Sequence, residues 1–408
     1  DAGHLPAGEI EALRARRGAL WDLITIERLR AREAGGVDFS IETLQRSLAP
    51  DEAVLSYFWV GDTALAVTVL TRDDAAGRVQ TLAASERAEL MALGRAALSF
   101  DQESVADSVV PGRAVAERLL PEWVRRRVRD KHRLLISPHR VLHSIPFHAL
   151  VVDGAFVIER WAVTYVPNLT SLLWSFPAPS APRVLLVAAP SHEGSARAGL
   201  PYLRDAVAEV EDVGALYRES QTPVRTLLPG EATEAMLHQL HERGELQTFT
   251  VLHFACHGEN VDESVPMESR LFLRDAALDG LDIANWNLRA DVLVLSACAS
   301  GQRPIGGRDF TELPGDDLFG LQAGFFIAGV RQIVSALWPV ESWAARRICA
   351  DFHRHLQTMP TEVALQRALT AFIAAGPLCA EPAVWAPFFL VRAAGARPAA
   401  GPRVQGRD

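Results

Sequence analysis

Two apolar runs in this chain stop abruptly at side chains that can carry acyl-transfer chemistry. The first is Thr250-Val251-Leu252-His253-Phe254-Ala255-Cys256-His257-Gly258, and the second is Val292-Leu293-Val294-Leu295-Ser296-Ala297-Cys298-Ala299-Ser300-Gly301. A free thiol is mostly protonated at neutral pH, and only the thiolate attacks a carbonyl efficiently. An imidazole beside it removes that proton and later delivers it to a leaving amine. These residue types make Cys298 the candidate nucleophile and His257 the candidate acid–base. The backbone N–H groups of Gly258 and Cys298 are the candidate donors to an oxyanion, because the small residues around them leave room for a substrate backbone.

Positioning those groups requires a particular scaffold. Short β-branched and apolar runs separated by a helix-sized segment predict neighbouring buried strands of a parallel sheet. In such sheets ligands bind outside the carboxyl ends of the strands, where His257 and Cys298 both fall. The surrounding rhythm agrees: a strand over 183–189, a helix over 201–217, a strand over 224–228, a helix over 231–243, and a further strand over 332–337 predict about five strands with helices on both faces. Helices are expected near 316–328, 341–357 and 361–375. Upstream, 53–60 and 63–70 flank the turn Gly61-Asp62 as a hairpin, a third short run lies at 79–82, helices are expected over 86–99 and 112–129, and Arg133–Ser137 reads as a buried strand. Residues 7–34 show helical spacing up to Gly35-Gly36. The proline-rich stretch 177–182 separates the two halves.

The chain has 408 residues, 49 % of them hydrophobic, enough for two subdomains or one large α/β domain. Its net charge of −9, with scattered cations, argues against a nucleic-acid groove. The cysteines at 256, 298, 349 and 379 form no C-x-x-C pair, which points to a reducing, cytoplasmic setting. No run approaches the roughly 20 apolar residues that span a bilayer, and no signal peptide opens the chain, so no membrane association is expected. The start at Asp1 suggests a processed form or a fragment of a longer protein.

A zinc site built from His253, Cys256, His257 and Cys298 competes with the nucleophile reading. Side chains at 253 and 256 of an extended run point to opposite faces, which disfavours a shared ion. His253 and Cys256 are therefore read as structural. The histidines at 139, 143 and 148 lack a completing ligand at short range. There is no G-x-S-x-G elbow, Walker loop or G-x-G-x-x-G, so neither a metal nor an organic cofactor is expected. Asp205, Glu209 and Asp309 are the candidate substrate-binding residues. Their acidity favours Lys or Arg, although aliphatic specificity is compatible with another orientation of the same side chains. The Gly-rich stretch 301–309 reads as a mobile active-site loop.

The motifs H-F-A-C-H-G at 253–258 and L-S-A-C-A-S-G at 295–301 resemble the histidine and cysteine motifs of the CHAT-domain proteases, a branch of the caspase-like cysteine peptidases. Further similarity lies in Ser137–Leu150, Gly329–Val340 and Pro382–Leu390, so the resemblance covers roughly residues 45–392. It implies a caspase-like three-layer α/β/α fold with a mostly parallel sheet, and it puts His257 and Cys298 on the family's catalytic positions as a Cys-His dyad. The implied organisation is an N-terminal helical segment (1–44), a degenerate pseudo-caspase subdomain (45–176), a linker (177–182), a catalytic subdomain (183–392) and a disordered tail (393–408). The implied activity is endopeptidase cleavage of a dedicated partner protein in a bacterial cell-death or antiphage defence module, for instance a gasdermin-like pore-former, under an upstream activating or regulatory protein. A non-enzymatic sensing or scaffold role is the alternative.

Overall fold

The computed structural model describes residues 39–98, 111–174, 176, 181–193, 200–259, 269–296 and 321–393. The expected helix at 7–34, the loop 301–309 and nearly all of the tail lie outside the described residues. Among those described, a thirteen-stranded mixed sheet runs through the chain.

In the first half, β1 (Glu52–Val60), β2 (Ala64–Thr71) and β3 (Ala75–Thr81) form an antiparallel meander, and β3 is largely exposed, as an edge strand tolerates. The other flank of β1 pairs in parallel with β4 (Arg133–Ser137). A small ribbon of β5 (Val151–Val152) and β6 (Ala155–Phe156) follows, and β7 (Ala162–Tyr165) then pairs in parallel with β4. The helices here are α1 (Ile41–Ser47), α2 (Ala84–Leu98), α3 (Arg113–Leu119), α4 (Glu122–Arg127) and α5 (Val157–Arg160). The single helix expected over 112–129 is thus two. Pro121 lacks the N–H that a continuing helix needs, and it stands instead at the N-cap of α4.

The second half contains β8 (Val184–Ala189), β9 (Val224–Leu227), β10 (Val251–Glu259), β11 (Arg270–Phe272), β12 (Ala277–Asp279), β13 (Val292–Ser296), β14 (Gln332–Ala336) and β15 (Phe388–Arg392). Strands β9, β8, β10, β13 and β14 are parallel neighbours in that order. Every residue of β8 is buried, as expected of a strand covered on both faces. Alternation sorts the side chains. Val184, Leu186, Ala188, Val251 and Ala255 pack with Val210, Val213 and Tyr217 of α6 (Ala206–Glu219). Leu185, Val187, Leu252, Phe254 and Cys256 join the opposite core, which includes Leu237 of α7 (Glu234–Glu242), Ile283 of α8 (Gly280–Ala284) and Phe325 of α9 (Leu321–Ala328). The last two main helices, α10 (Ser342–Leu356) and α11 (Thr361–Ile373), pack on each other, and α10 also packs on α6. The result is a three-layer caspase-like α/β/α arrangement. The helix expected from Pro201 begins instead at Ala206, since the residues before it follow an irregular path to the sheet's carboxyl edge.

The two halves meet at β15. This strand is antiparallel to β14 and bridges β7 at Val391 and Tyr165. Beside it, both terminal nitrogens of Arg392 lie 3.0 Å from Oε1 of the fully buried Glu52. Arg133 adds bonds to Asp51 and, at 2.9 Å, to Glu362 of α11. His148 completes the junction: its Nε2–H donates to the Ala386 carbonyl at 2.9 Å, and its Nδ1 accepts from the Tyr165 hydroxyl at 3.0 Å.

Two outcomes follow from this junction. Arg392→Ala strips Glu52 of its main countercharge in a dry site and is expected to cost about 3 kcal/mol, read from the shift in denaturant midpoint. Burial lowers the pKa of His148 to about 4 from 6.5, so the folded state excludes a proton that the unfolded chain takes up. The associated stability is complete above pH 6.5 and is lost as pH falls toward 4, by about 3 kcal/mol. In His148→Leu, unfolding free energies measured across that window show a flatter pH slope.

Candidate active site

Strand β10 outlasts its parallel neighbour β8. Its pairing with β8 ends at Cys256 opposite Ala189, and its pairing with β13 runs through the described residues as far as Ala255 opposite Ser296. The next three residues take up β11 antiparallel, with His257 opposite Phe272, Gly258 opposite Leu271 and Glu259 opposite Arg270. His257 therefore stands just past the last pairing with β8, at the carboxyl edge of the parallel strands, where ligands bind in folds of this kind.

The orientation of its ring is set by backbone. Nε2 lies 2.7 Å from the Pro201 carbonyl oxygen, which can only accept, so Nε2 carries the proton and the neutral ring keeps its lone pair on Nδ1. The side chain is 6 % exposed. Burial lowers its pKa below the ordinary imidazole value, the Pro201 carbonyl opposes this in part, and the nearby His192 adds to the lowering. The site thus holds a neutral imidazole with a defined basic nitrogen at pH 7.

Beneath His257, on the same face of β10, lies a closed polar chain. Glu209 Oε1 is 2.9 Å from His253 Nε2, His253 Nδ1 is 2.9 Å from His353 Nε2, and His353 Nδ1 is 2.9 Å from the Tyr217 hydroxyl. Burial holds His353 neutral and the phenol protonated. The donors therefore run one way, from Tyr217 through His353 and His253 to the Glu209 carboxylate. Burial and the adjacent Glu209 push the Cys349 thiol up, while its bond to Ser296 acts the other way. Donor atoms of Glu209, His253 and Cys349 lie within 4.8 Å of one another, a set chemically competent for a divalent metal, yet here joined by hydrogen bonds. A cavity of about 40 Å³ opens between the ends of β10, β13 and β14, with Leu203, Ala206, Ala255, Ser296 and Ala336 among its walls.

The candidate residues fare differently. Glu209 is 2 % exposed and engaged with His253 rather than free for a substrate cation. Asp205 stands at the N-cap of α6, 3.8 Å from Arg346. Gly258 lies in the ladder with β11. Cys298 and Asp309 lie outside the described residues. Cys256 belongs to the core on the face opposite Ala255, so it does not share a ligand set with His253. The sequence reading missed Pro201, whose contribution is a carbonyl that every residue possesses. It also missed His353, although its position four residues after Cys349 and one after Phe352, on the buried stripe of α10, was a usable signal.

The CHAT domain family matches residues 109–393. Among curated proteins the sequence finds no match. Two solved structures of the Saccharomyces cerevisiae separase–securin complex superpose with TM-scores of 0.52 and 0.50 at 9 % identity, each covering 86 % of this chain. The likeness spans only 30 % and 31 % of those chains. The Arg specific cysteine proteinase gingipain R is similar over 71 % of this chain and 69 % of its own, at 9 % identity and a TM-score of 0.43. At such identities the likeness to separase is one of fold.

The polar chain gives a measurable outcome. His353→Phe leaves the Tyr217 hydroxyl and His253 Nδ1 buried without partners, at about 1–3 kcal/mol for each. Chemical denaturation should show a loss of several kcal/mol, well beyond that of an exposed substitution such as His238→Phe.

Proposed function

The chain belongs to the CHAT domain family, and from that premise we propose that it is a cysteine endopeptidase in which Cys298 attacks and His257 moves the proton. One observation carries the proposal: the β10–β13 register pairs Ala255 with Ser296, and His257 and Cys298 each follow two positions later in the sequence. The proposed dyad carries that register on to the thiol and the imidazole, since side chains two apart share a face of a strand.

The chemistry then follows from the ring's orientation. With Nε2–H held by Pro201, Nδ1 is the nitrogen that takes the thiol proton. The thiolate adds to the scissile carbonyl, and the oxyanion is received by the N–H groups of Gly258 and Cys298. Nδ1–H protonates the departing amine, leaving an acyl-enzyme. Water, deprotonated at Nδ1, releases the acid and restores the thiol. The first half of the chain is proposed to be a non-catalytic copy, since its parallel strands β1, β4 and β7 form a smaller set of the same kind. For specificity, Asp205 and Asp309 remain the acidic candidates for a Lys or Arg preference, with Glu209 withdrawn because His253 occupies it.

The substrate is proposed to be a dedicated partner protein, such as a gasdermin-like pore-former in a bacterial cell-death or antiphage module, and the setting cytoplasmic. Among the described residues no helix is long and apolar enough to cross a membrane.

Candidate partners encoded beside this chain, incubated with wild type and with Cys298→Ala, should be cut by the former alone, and sequencing the new termini identifies the bond. Equal cleavage by both proteins, or cleavage by neither across the set, would falsify the peptidase reading and leave a scaffold role. His257→Gln should lower kcat/KM by about 10²–10⁴. Because burial lowers the His257 pKa, the acid limb of the wild-type kcat/KM profile is expected below pH 6.5, activity falling as the imidazole gains its proton.

A further inference from the structure

Next to His257 stands a second imidazole to which the catalytic scheme assigns no task. His192 lies three residues past the end of β8. Its Nδ1 is 2.6 Å from the Leu273 carbonyl oxygen, so Nδ1 carries the proton and the neutral ring keeps its lone pair on Nε2. That Nε2 is buried and has no hydrogen-bond partner among the described residues. Its placement is not loose. The ring packs edge-on against Phe272 at 5.1 Å and 64°, and the N–H of Glu193 donates to the Arg274 carbonyl at 2.7 Å. Phe272 is the residue directly opposite His257 in the β10–β11 ladder, so one residue neighbours both histidines.

A buried acceptor left empty by a rigid frame is costly, and such groups in native proteins call for an explanation. The chemistry of this one narrows the answer. A neutral lone pair beside Phe272 suits a neutral N–H. Beside this ring the Glu193 carboxylate is already bound by Arg274 at 3.1 Å, so its charge is not free to receive a substrate cation. We propose that His192 Nε2 is a substrate subsite that accepts a hydrogen bond from a main-chain amide N–H of the bound polypeptide, holding the chain in register with His257. The subsite rests on the peptidase reading. His257 is itself 6 % exposed, and the subsite requires that a polypeptide able to reach its Nδ1 also reach the neighbouring ring. A main-chain contact of this kind aids binding of any sequence and leaves side-chain choice to other pockets.

The test is a cycle between enzyme and ligand using peptidyl acyloxymethyl ketones, each with one backbone nitrogen methylated in turn, and the rate of covalent labelling of Cys298 as the readout. In wild type, methylation at one position should slow labelling at least about ten-fold, or about 1.4 kcal/mol. In His192→Phe the unmethylated peptide should already be slow and the same methylation should cost nothing further. His192→Gln, which offers an amide oxygen near the Nε2 position, should regain part of the difference. Alkylation by iodoacetamide, which has no peptide backbone, should proceed alike in all three, showing that the nucleophile is intact. If every methylation costs wild type and His192→Phe the same, or if His192→Gln behaves as His192→Phe does, the subsite is refuted while the peptidase reading stands. Failure of the unmethylated peptides to label wild type, with iodoacetamide still reacting, refutes both.

Discussion

The parallel pairing of β10 with β8 and β13 is the constraint on which the rest of the molecule hangs. A shift of one residue in either ladder would turn every side chain of β10 to the other face. His253 and His257 would leave the α6 and α10 side together, the polar chain would lose its central member, and Pro201 would have no ring to orient. Continuous burial on both faces specifies the register, because Phe254 and Cys256 fit one core and Val251 and Ala255 the other.

That same alternation explains why a buried polar chain lies directly under the candidate chemistry. His253 and His257 are four residues apart on a strand, hence on one face, and the helices covering that face must satisfy the first to leave the second at the edge. Glu209 from α6 and His353 from α10 do so, with Tyr217 closing the far end. Buried polar networks of this kind rigidify when every member is paired. Here the rigidity holds α6 on the sheet, and with it the preceding segment that brings the Pro201 carbonyl to His257.

The junction between the halves obeys a different logic. β15 is apolar until its last residue, and that residue, Arg392, answers a carboxylate contributed by β1. Two charges in a dry interface add little net stability against an apolar pair, but either alone is heavily penalised. The arrangement therefore favours this one docking of the halves over others. Its order in the sequence matters too: the parallel strands of the second half precede β15, which then joins β14 to β7.

By itself, the sequence determined the local facts. The apolar runs of β8, β10, β13 and β14 announced buried parallel strands, the reactive side chains at their ends marked a candidate edge for chemistry, and alternation separated His253 from Cys256. What it could not supply were relations between distant segments. The split of one expected helix at Pro121 was legible in principle, since proline acts locally. The partners of Glu209 were not: an acidic residue on an amphipathic helix looks the same whether it faces substrate or a histidine 44 positions away. Nor were the surroundings of Pro201 or His192, because one meets His257 through a carbonyl common to all residues and the other carries a ring nitrogen unpaired among the described residues. Short strands such as β7, β11 and β15 gain their stability from neighbours rather than from propensity. Periodicity is written in the chain because it reflects local geometry. Pairing and vacancy are decided only when the tertiary structure fixes which groups can still reach one another.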